Sequence, residues 1–212
     1  MAAAARGYGR IIMPDGEEHE GYYQKLVPHG YGKFWNPIQQ FGYEGMFAHG
    51  AKEGAGEFIC PEFTYRGHFT NDTFHGYGNH TVKDPVGNPH YYYGQYCRNM
   101  KCGFGVDVFN LTKYVGQMSM DNRNGKGKLT YYDGTYYEGE FKNGERHGRG
   151  LLKNSNGDTY AGTFVKGKRQ GTGINYFRHE NIVYIGQYNN DMAHGLGEVF
   201  MNAKSLHAGR WI

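Results

Sequence analysis

"YYEGEFKNGERHGRG", Tyr136 to Gly150, sets Gly139 between alternating aromatic residues and puts Gly148 and Gly150 just beyond a polar turn. Tyr137, Gly139 and Phe141 are two apart, so on a strand they share one face while Glu138 and Glu140 take the other. Glycine weakens a strand, and its use there marks a place where another group approaches the backbone closely. With "KNGERH" as the turn, Gly139 falls opposite Gly150 and Phe141 opposite Gly148, leaving slots into which neighbouring rings lie.

The pattern runs along the whole chain. Tyr-x-Gly-x-aromatic followed by Gly-x-Gly recurs from His19 to Gly32, Tyr43 to Gly56, Tyr65 to Gly78 and Tyr92 to Gly105. It continues from Tyr114 to Gly127, Tyr137 to Gly150, Tyr160 to Gly173 and Tyr184 to Gly197. In all eight units the strand glycine stands nine residues before the first glycine of the pair, whereas the interval onward to the next strand glycine runs from 11 to 16 residues. A fixed turn alternating with an elastic one is what consecutive hairpins produce, because added loop length costs little free energy. The longest connector, Asn79 to Tyr91 with Pro85 and Pro89, reads as a protruding loop. "GYGRIIM" (Gly7 to Met13) matches the second half of a unit and "HAGRWI" (His207 to Ile212) the first half.

These features predict an all-β chain: an elongated, twisted single-layer antiparallel sheet of consecutive β-hairpins, with residues 1–6 as a tail and 7–212 as a single array. The unpaired strand at either end offers an edge for self-association.

Composition supports burial through rings. Glycine contributes 35 of 212 residues and tyrosine 20, yet only 6 prolines are present and no strict Gly-X-Y period, which excludes collagen. Hydrophobic content of 38% is low for a thick aliphatic core, while 17% aromatic is too high for a disordered chain. A formal net charge of +3 permits an anionic partner but lacks the clustered excess of a nucleic-acid binder, so no nucleic acid is expected. Cys60, Cys97 and Cys102 are an odd set with no zinc-spaced second pair, which predicts reduced thiols in an intracellular setting. No apolar run approaches the roughly 18 residues that span a bilayer, so a soluble protein is expected. Ala2 stands where myristoylation needs glycine.

The stretches "YEGEFKNGERHGRG" and "GDTYAGTFVKGKRQGTG" resemble the MORN repeat, the membrane occupation and recognition nexus, and the resemblance covers essentially the whole chain. Departures are Met118 where an aromatic is usual and His19 where tyrosine is usual. The passage from Gly144 to Gly173 looks most like ciliary proteins of the radial-spoke-head type. The resemblance implies a non-enzymatic scaffold whose partners, axonemal or cytoskeletal proteins among them, lie along an aromatic groove or associate through the ends. It also implies a place in a cilium or flagellum axoneme, with the cell cortex or membrane periphery as the alternative. Phosphoinositide binding is a further implied property. The groove residues expected from the aromatic stripe are Tyr137, Phe141, Tyr160, Phe164, Tyr184 and Tyr188.

Catalytic chemistry finds no foothold in the pattern. His29, His75, His147 and His194 each precede a Gly-x-Gly, but equivalent positions in successive hairpins serve equivalent turn or cross-strand hydrogen bonds. "HENIV" lacks the second histidine of HExxH, and no GxxxxGK[ST] occurs. No catalytic residue, cofactor or metal site is expected. Lys126, Lys128, Lys142, Arg146, Arg149, Lys166, Lys168 and Arg169 fall in or beside successive turns, interleaved with Asp121, Glu140 and Glu145. They form either a solvated margin or a surface for anionic lipid or an acidic protein.

Overall fold

The computed structural model describes residues 6–88 and 90–211. Among these residues there is no helix, only strands joined by turns, in two compact units, residues 1–110 and 111–212. The first unit holds β1 (Arg6–Ile12), β2 (Glu18–Gln24), β3 (Val27–Asn36), β4 (Phe41–Ala48), β5 (Ala51–Ile59), β6 (Phe63–Thr70), β7 (Thr73–Val82), β8 (Tyr91–Cys97) and β9 (Met100–Phe109). The second holds β10 (Thr112–Ser119), β11 (Asn122–Thr130), β12 (Tyr136–Lys142), β13 (Glu145–Lys153), β14 (Thr159–Val165), β15 (Lys168–Phe177), β16 (Ile182–Asn189), β17 (Met192–Met201) and β18 (Lys204–Trp211). Within each unit every strand pairs antiparallel with the next in sequence, the arrangement expected of consecutive hairpins. Residues 1–5 of the expected tail lie outside the described residues, and Arg6 already begins β1.

The rigid turn is a two-residue one. Asn143 (φ 51°) and Gly144 (φ 84°) are both left-handed, the form whose twist matches that of the flanking strands. Beyond it the register departs from simple position counting. Gly139 does pair with Gly150, but Phe141 pairs with Arg146 rather than Gly148, because a bulge follows Gly139 and leaves Gly148 and Arg149 unopposed. Gly148 sits at that bulge with φ 58°, which explains the first glycine of the pair; its partner is Phe164 of the following strand. The connector after Gly78 is also shorter than expected. β7 continues to Val82, since Asn79, His80 and Thr81 pair with Tyr93, Tyr92 and Tyr91.

A single layer buries rings here because they lie flat upon it. Tyr65, Tyr137 and Phe164 have 0% exposure. A Cβ on Gly150 would stand 2.4 Å from the Tyr137 ring, and one on Gly139 would stand 2.5 Å from the Gly150 Cα. The second glycine therefore makes a slot, and tyrosine fills it. Phe141 stands edge-on to Tyr137 at 5.1 Å and to Tyr114 at 5.2 Å, and Phe164 repeats this with Tyr160 and Tyr137. Each such pair contributes about 1 kcal/mol beyond its buried area.

The bulge leaves backbone groups outside the ladder, and the repeat's own side chains satisfy them. The Tyr137 hydroxyl lies 2.9 Å from Glu140 O and 3.1 Å from His147 O, while Arg149 N donates to Glu140 Oε1 at 3.1 Å. Tyr114 with Gln117 O (2.8 Å) and Lys126 N with Gln117 Oε1 (2.7 Å) repeat the device. Buried backbone groups without partners are costly, so this satisfaction is part of what specifies the bulge.

Cys97 and Cys102, expected as free thiols, are disulfide-bonded with Cα atoms 5.9 Å apart; Cys60 is free and buried. The tight turn Arg98–Asn99 brings the β8–β9 strands back together and carries this diagonal pair into bonding reach.

Candidate binding surfaces

The tight-turn margin is tied together by its backbone. Gly144 N donates to Arg123 O, Gly167 N to Arg146 O and Asp191 N to Arg169 O, so each turn rests on the strand that follows the previous one. Asp191 adds a side-chain acceptor for Arg169 N at 2.8 Å. This arrangement sets where the basic residues point. Arg146 covers the rings of Tyr137 and Phe164 at 5.9 and 5.3 Å and donates to Gly167 O at 2.6 Å. Arg169 covers Tyr160 and Tyr188 at 5.5 and 5.0 Å and pairs with Asp191 at 3.4 Å. Lys52 over Tyr43, Lys101 over Tyr92 and Arg123 over Tyr114 occupy the same repeat position. A cation two residues before the first glycine of the pair is thus a lid on the ring stack.

The expected basic surface is divided accordingly. Arg146 and Arg169 are committed to the lids, and Lys128 pairs with Glu138 at 3.3 Å while lying 4.1 Å from the centre of the Tyr136 ring. Lys142, Arg149, Lys166 and Lys168 are exposed and make no ion pair among the described residues; Lys126 is half-buried on the outer face, opposite Glu140. The expected groove changes more. Tyr137, Phe141, Tyr160, Phe164, Tyr184 and Tyr188 are all 5% exposed or less, so their rings are consumed by packing against glycines and one another and offer a partner no surface. Burial raises the pKa of each of these tyrosines, to about 12 for Tyr137 and Tyr188.

Exposed aromatics occupy the opposite face instead. Tyr8, Tyr22, Tyr31, Tyr77 and Phe104 of the first unit are each more than 40% exposed. They stand at, or directly across from, the middle residue of Gly-x-Gly, with Tyr8 opposite Tyr22 and Tyr31 opposite Met46. Tyr8 donates to Glu20 at 2.8 Å, and Gln95 donates to the Tyr77 hydroxyl at 3.1 Å, which holds those rings in place. The equivalent row in the second unit holds no aromatic: Lys126 stands opposite Glu140, Arg149 opposite Thr163 and Thr172 opposite Gln187, and the row ends at exposed Leu196 opposite Arg210. Period-two reading finds both rows in the sequence, but the buried stripe with its regular tyrosines draws attention from the exposed one.

The histidines before Gly-x-Gly do not converge. His147 O accepts from Tyr137, His75 pairs with His68 across the β6–β7 ladder, and the His29 ring stands 5.4 Å from His49 with its Nδ1 buried and unpartnered. Among the described residues no group of three or more His, Cys, Asp or Glu is placed to hold a metal ion.

A family model described as MORN repeat matches residues 19–38, 43–63, 65–81, 114–136, 137–159, 160–174 and 184–198. The chain belongs to the MORN-repeat family. The unit from Tyr92 to Gly105, between the third and fourth matched segments, keeps the MORN geometry: Tyr92 is 1% exposed and a Cβ on Gly105 would stand 2.5 Å from its ring. The chain is also similar to alsin from Homo sapiens, Mus musculus and Pan troglodytes, 27% identical over 152 residues in each. That match covers 64% of this chain and 9% of the relatives, so the chain spans about a tenth of their length. MORN repeats are generally non-catalytic and mediate protein or membrane interactions, and they suggest a scaffold role here. No helix among the described residues is long and apolar enough to cross a membrane.

Proposed function

We propose that this protein is a non-enzymatic scaffold that binds axonemal or cytoskeletal partner proteins through the outer aromatic row of its first unit. The observation that carries the reading is the contrast between units: one repeat position holds exposed Tyr8, Tyr22, Tyr31 and Tyr77 in the first, and in the second charged or polar residues and Leu196 but no aromatic. Packing needs no aromatic there, because the second unit folds without one. Exposed rings rimmed by Glu20, Glu44 and Lys33 match the apolar centre and polar edge of protein contact surfaces.

The test is proximity labelling and imaging of the tagged chain in ciliated cells, with a Tyr22→Glu, Tyr31→Glu, Tyr77→Glu variant alongside. Wild type is expected at the axoneme with a defined set of labelled proteins that the variant loses at an unchanged thermal midpoint. An identical set from both would overturn the reading. The exposed cations Lys142, Arg149, Lys166 and Lys168 favour a second reading, attachment to phosphoinositide-containing membrane. It requires co-sedimentation with anionic vesicles that weakens with salt and is lost in a Lys142→Glu, Lys166→Glu, Lys168→Glu variant.

A further inference from the structure

The fourth repeat, Tyr92 to Gly105, carries a covalent bond that other repeats do without. Cys97 ends β8 opposite Met100, and Cys102 stands in β9 opposite Gln95, so the two sulfurs come from diagonal positions on the outer face, across the turn Arg98–Asn99. Elsewhere these positions hold Thr70 and His75, or Lys142 and His147, and those hairpins close through the same ladder with no cross-link. The fold therefore does not require the bond. The cysteines are also only five residues apart, so the bond restricts the unfolded chain less than a cross-link over a long loop does.

What the bond does constrain is the bulge. Cys102 leads directly into Gly103, with φ 58°, and Phe104, the two residues that nothing on β8 opposes. Gln95 closes this bulge: its Oε1 accepts from Phe104 N at 3.3 Å, and its Nε2 donates to the Tyr77 hydroxyl at 3.1 Å. Gln95 lies two residues before Cys97 and directly across from Cys102, so the disulfide holds the residue that in turn holds Tyr77 and Phe104, both 55% exposed. Cys97 is itself exposed and Cys102 half-buried, within reach of a small thiol, whereas Cys60 is buried and unpaired. Exposed disulfides are the labile and regulatory ones, and buried structural ones resist reduction.

We propose that Cys97–Cys102 is a regulatory redox site, opened and closed by glutathione in the folded protein, whose state sets how firmly the bulge of the fourth repeat is held together with Phe104 and Tyr77. In the opening direction a glutathione thiolate attacks the exposed Cys97 sulfur, the S–S bond breaks, and Cys102 leaves as a thiolate that takes up a proton. A second glutathione thiolate then attacks the glutathione sulfur of the mixed disulfide and releases Cys97, which is protonated in turn. Two glutathiones are oxidised to one glutathione disulfide as the protein bond is reduced to two thiols, and glutathione disulfide drives the reverse. The site adds control at one end of the outer aromatic row and does not depend on what binds there.

The test equilibrates the 212-residue chain in buffers of stepped reduced-to-oxidised glutathione ratio, counts free thiols by alkylation and peptide mapping, and follows amide exchange by mass spectrometry. Cys97 and Cys102 are expected to pass reversibly between bonded and free while far-UV circular dichroism stays unchanged and Cys60 stays unalkylated. Amide exchange over residues 95–105 is expected to rise by about tenfold in the reduced protein, with none of that rise over residues 137–150. Cys102→Ser is expected to show the fast pattern in every buffer. A bond that yields only when the chain unfolds, exchange over residues 95–105 that is the same in both states, or a rise of equal size over residues 137–150 would each overturn the proposal.

Discussion

At the scale of the residue, the working unit is one ring on one glycine. Tyr137 contributes packing over Gly139 and Gly150 and a hydroxyl for the carbonyls that the bulge sets free. Tyr137→Phe keeps the ring and loses the hydroxyl, so urea denaturation is expected to show a loss of about 1 kcal/mol. Burial also raises Tyr65, Tyr114, Tyr137 and Tyr188 to about 12. The neutral phenol is the folded form, so this contribution is complete below pH 10 and is lost as pH rises through about 12. Absorbance at 295 nm is therefore expected to show these phenols ionising only as the fold unravels. His19 shows the opposite sense. It takes the tyrosine position of the first repeat, is 7% exposed, and burial lowers its pKa from 6.5. Its neutral form is folded, so its contribution is present above about pH 6.5 and is lost as pH falls through the lower folded value. The thermal midpoint is expected to drop on acidification, and His19→Tyr to flatten that drop. The shared face of Tyr137, Gly139 and Phe141 was legible because side chains alternate along a strand. The bulge was not, because spacing counts residues and cannot say which of them leave the ladder.

At the scale of the element, each hairpin is closed by a left-handed two-residue turn, and five of the eight repeats are covered by a cation, Lys52, Lys101, Arg123, Arg146 or Arg169. Arg146 illustrates how a charge reads in sequence as surface and in structure as packing: it lies over two rings and donates to the next turn at Gly167. Arg146→Ala is expected to cost about 1–2 kcal/mol in denaturant unfolding. Lys166→Ala and Lys168→Ala, exposed and unpaired, are expected to stay within about 0.5 kcal/mol of wild type. Charge periodicity located the margin but not the pointing of individual side chains, because that depends on the bulge placing Arg146 opposite Phe141. The disulfide between Cys97 and Cys102 was hidden for a related reason: five residues apart, the pair is only brought together once the two-residue turn is known.

At the scale of the whole molecule, repetition fixes the fold and variation within it carries function. Each strand hydrogen-bonds its sequence neighbours and its rings reach the matching strand of the adjacent repeat, so stability accumulates repeat by repeat within a unit. The positions that packing leaves free are then available for recognition, as in the aromatic outer row of the first unit and the non-aromatic, mostly polar one of the second. Hairpin architecture could be read from one interval of nine residues. The contact surface could not, because rings that pack on glycine and rings that face solvent look alike in a one-layer sheet until burial separates them. The claim beneath all of this is that glycines hold space for rings, and an alanine series at dilute concentration measures it. Alanine at Gly127, Gly150 and Gly173, where a Cβ would meet Tyr114, Tyr137 and Tyr160 within 2.5 Å, is expected to lower unfolding stability by about 1–3 kcal/mol each, and alanine at Gly7 and Gly9, where a Cβ meets nothing, to leave it unchanged. Equal losses at all five positions, or none at Gly150, would contradict the account.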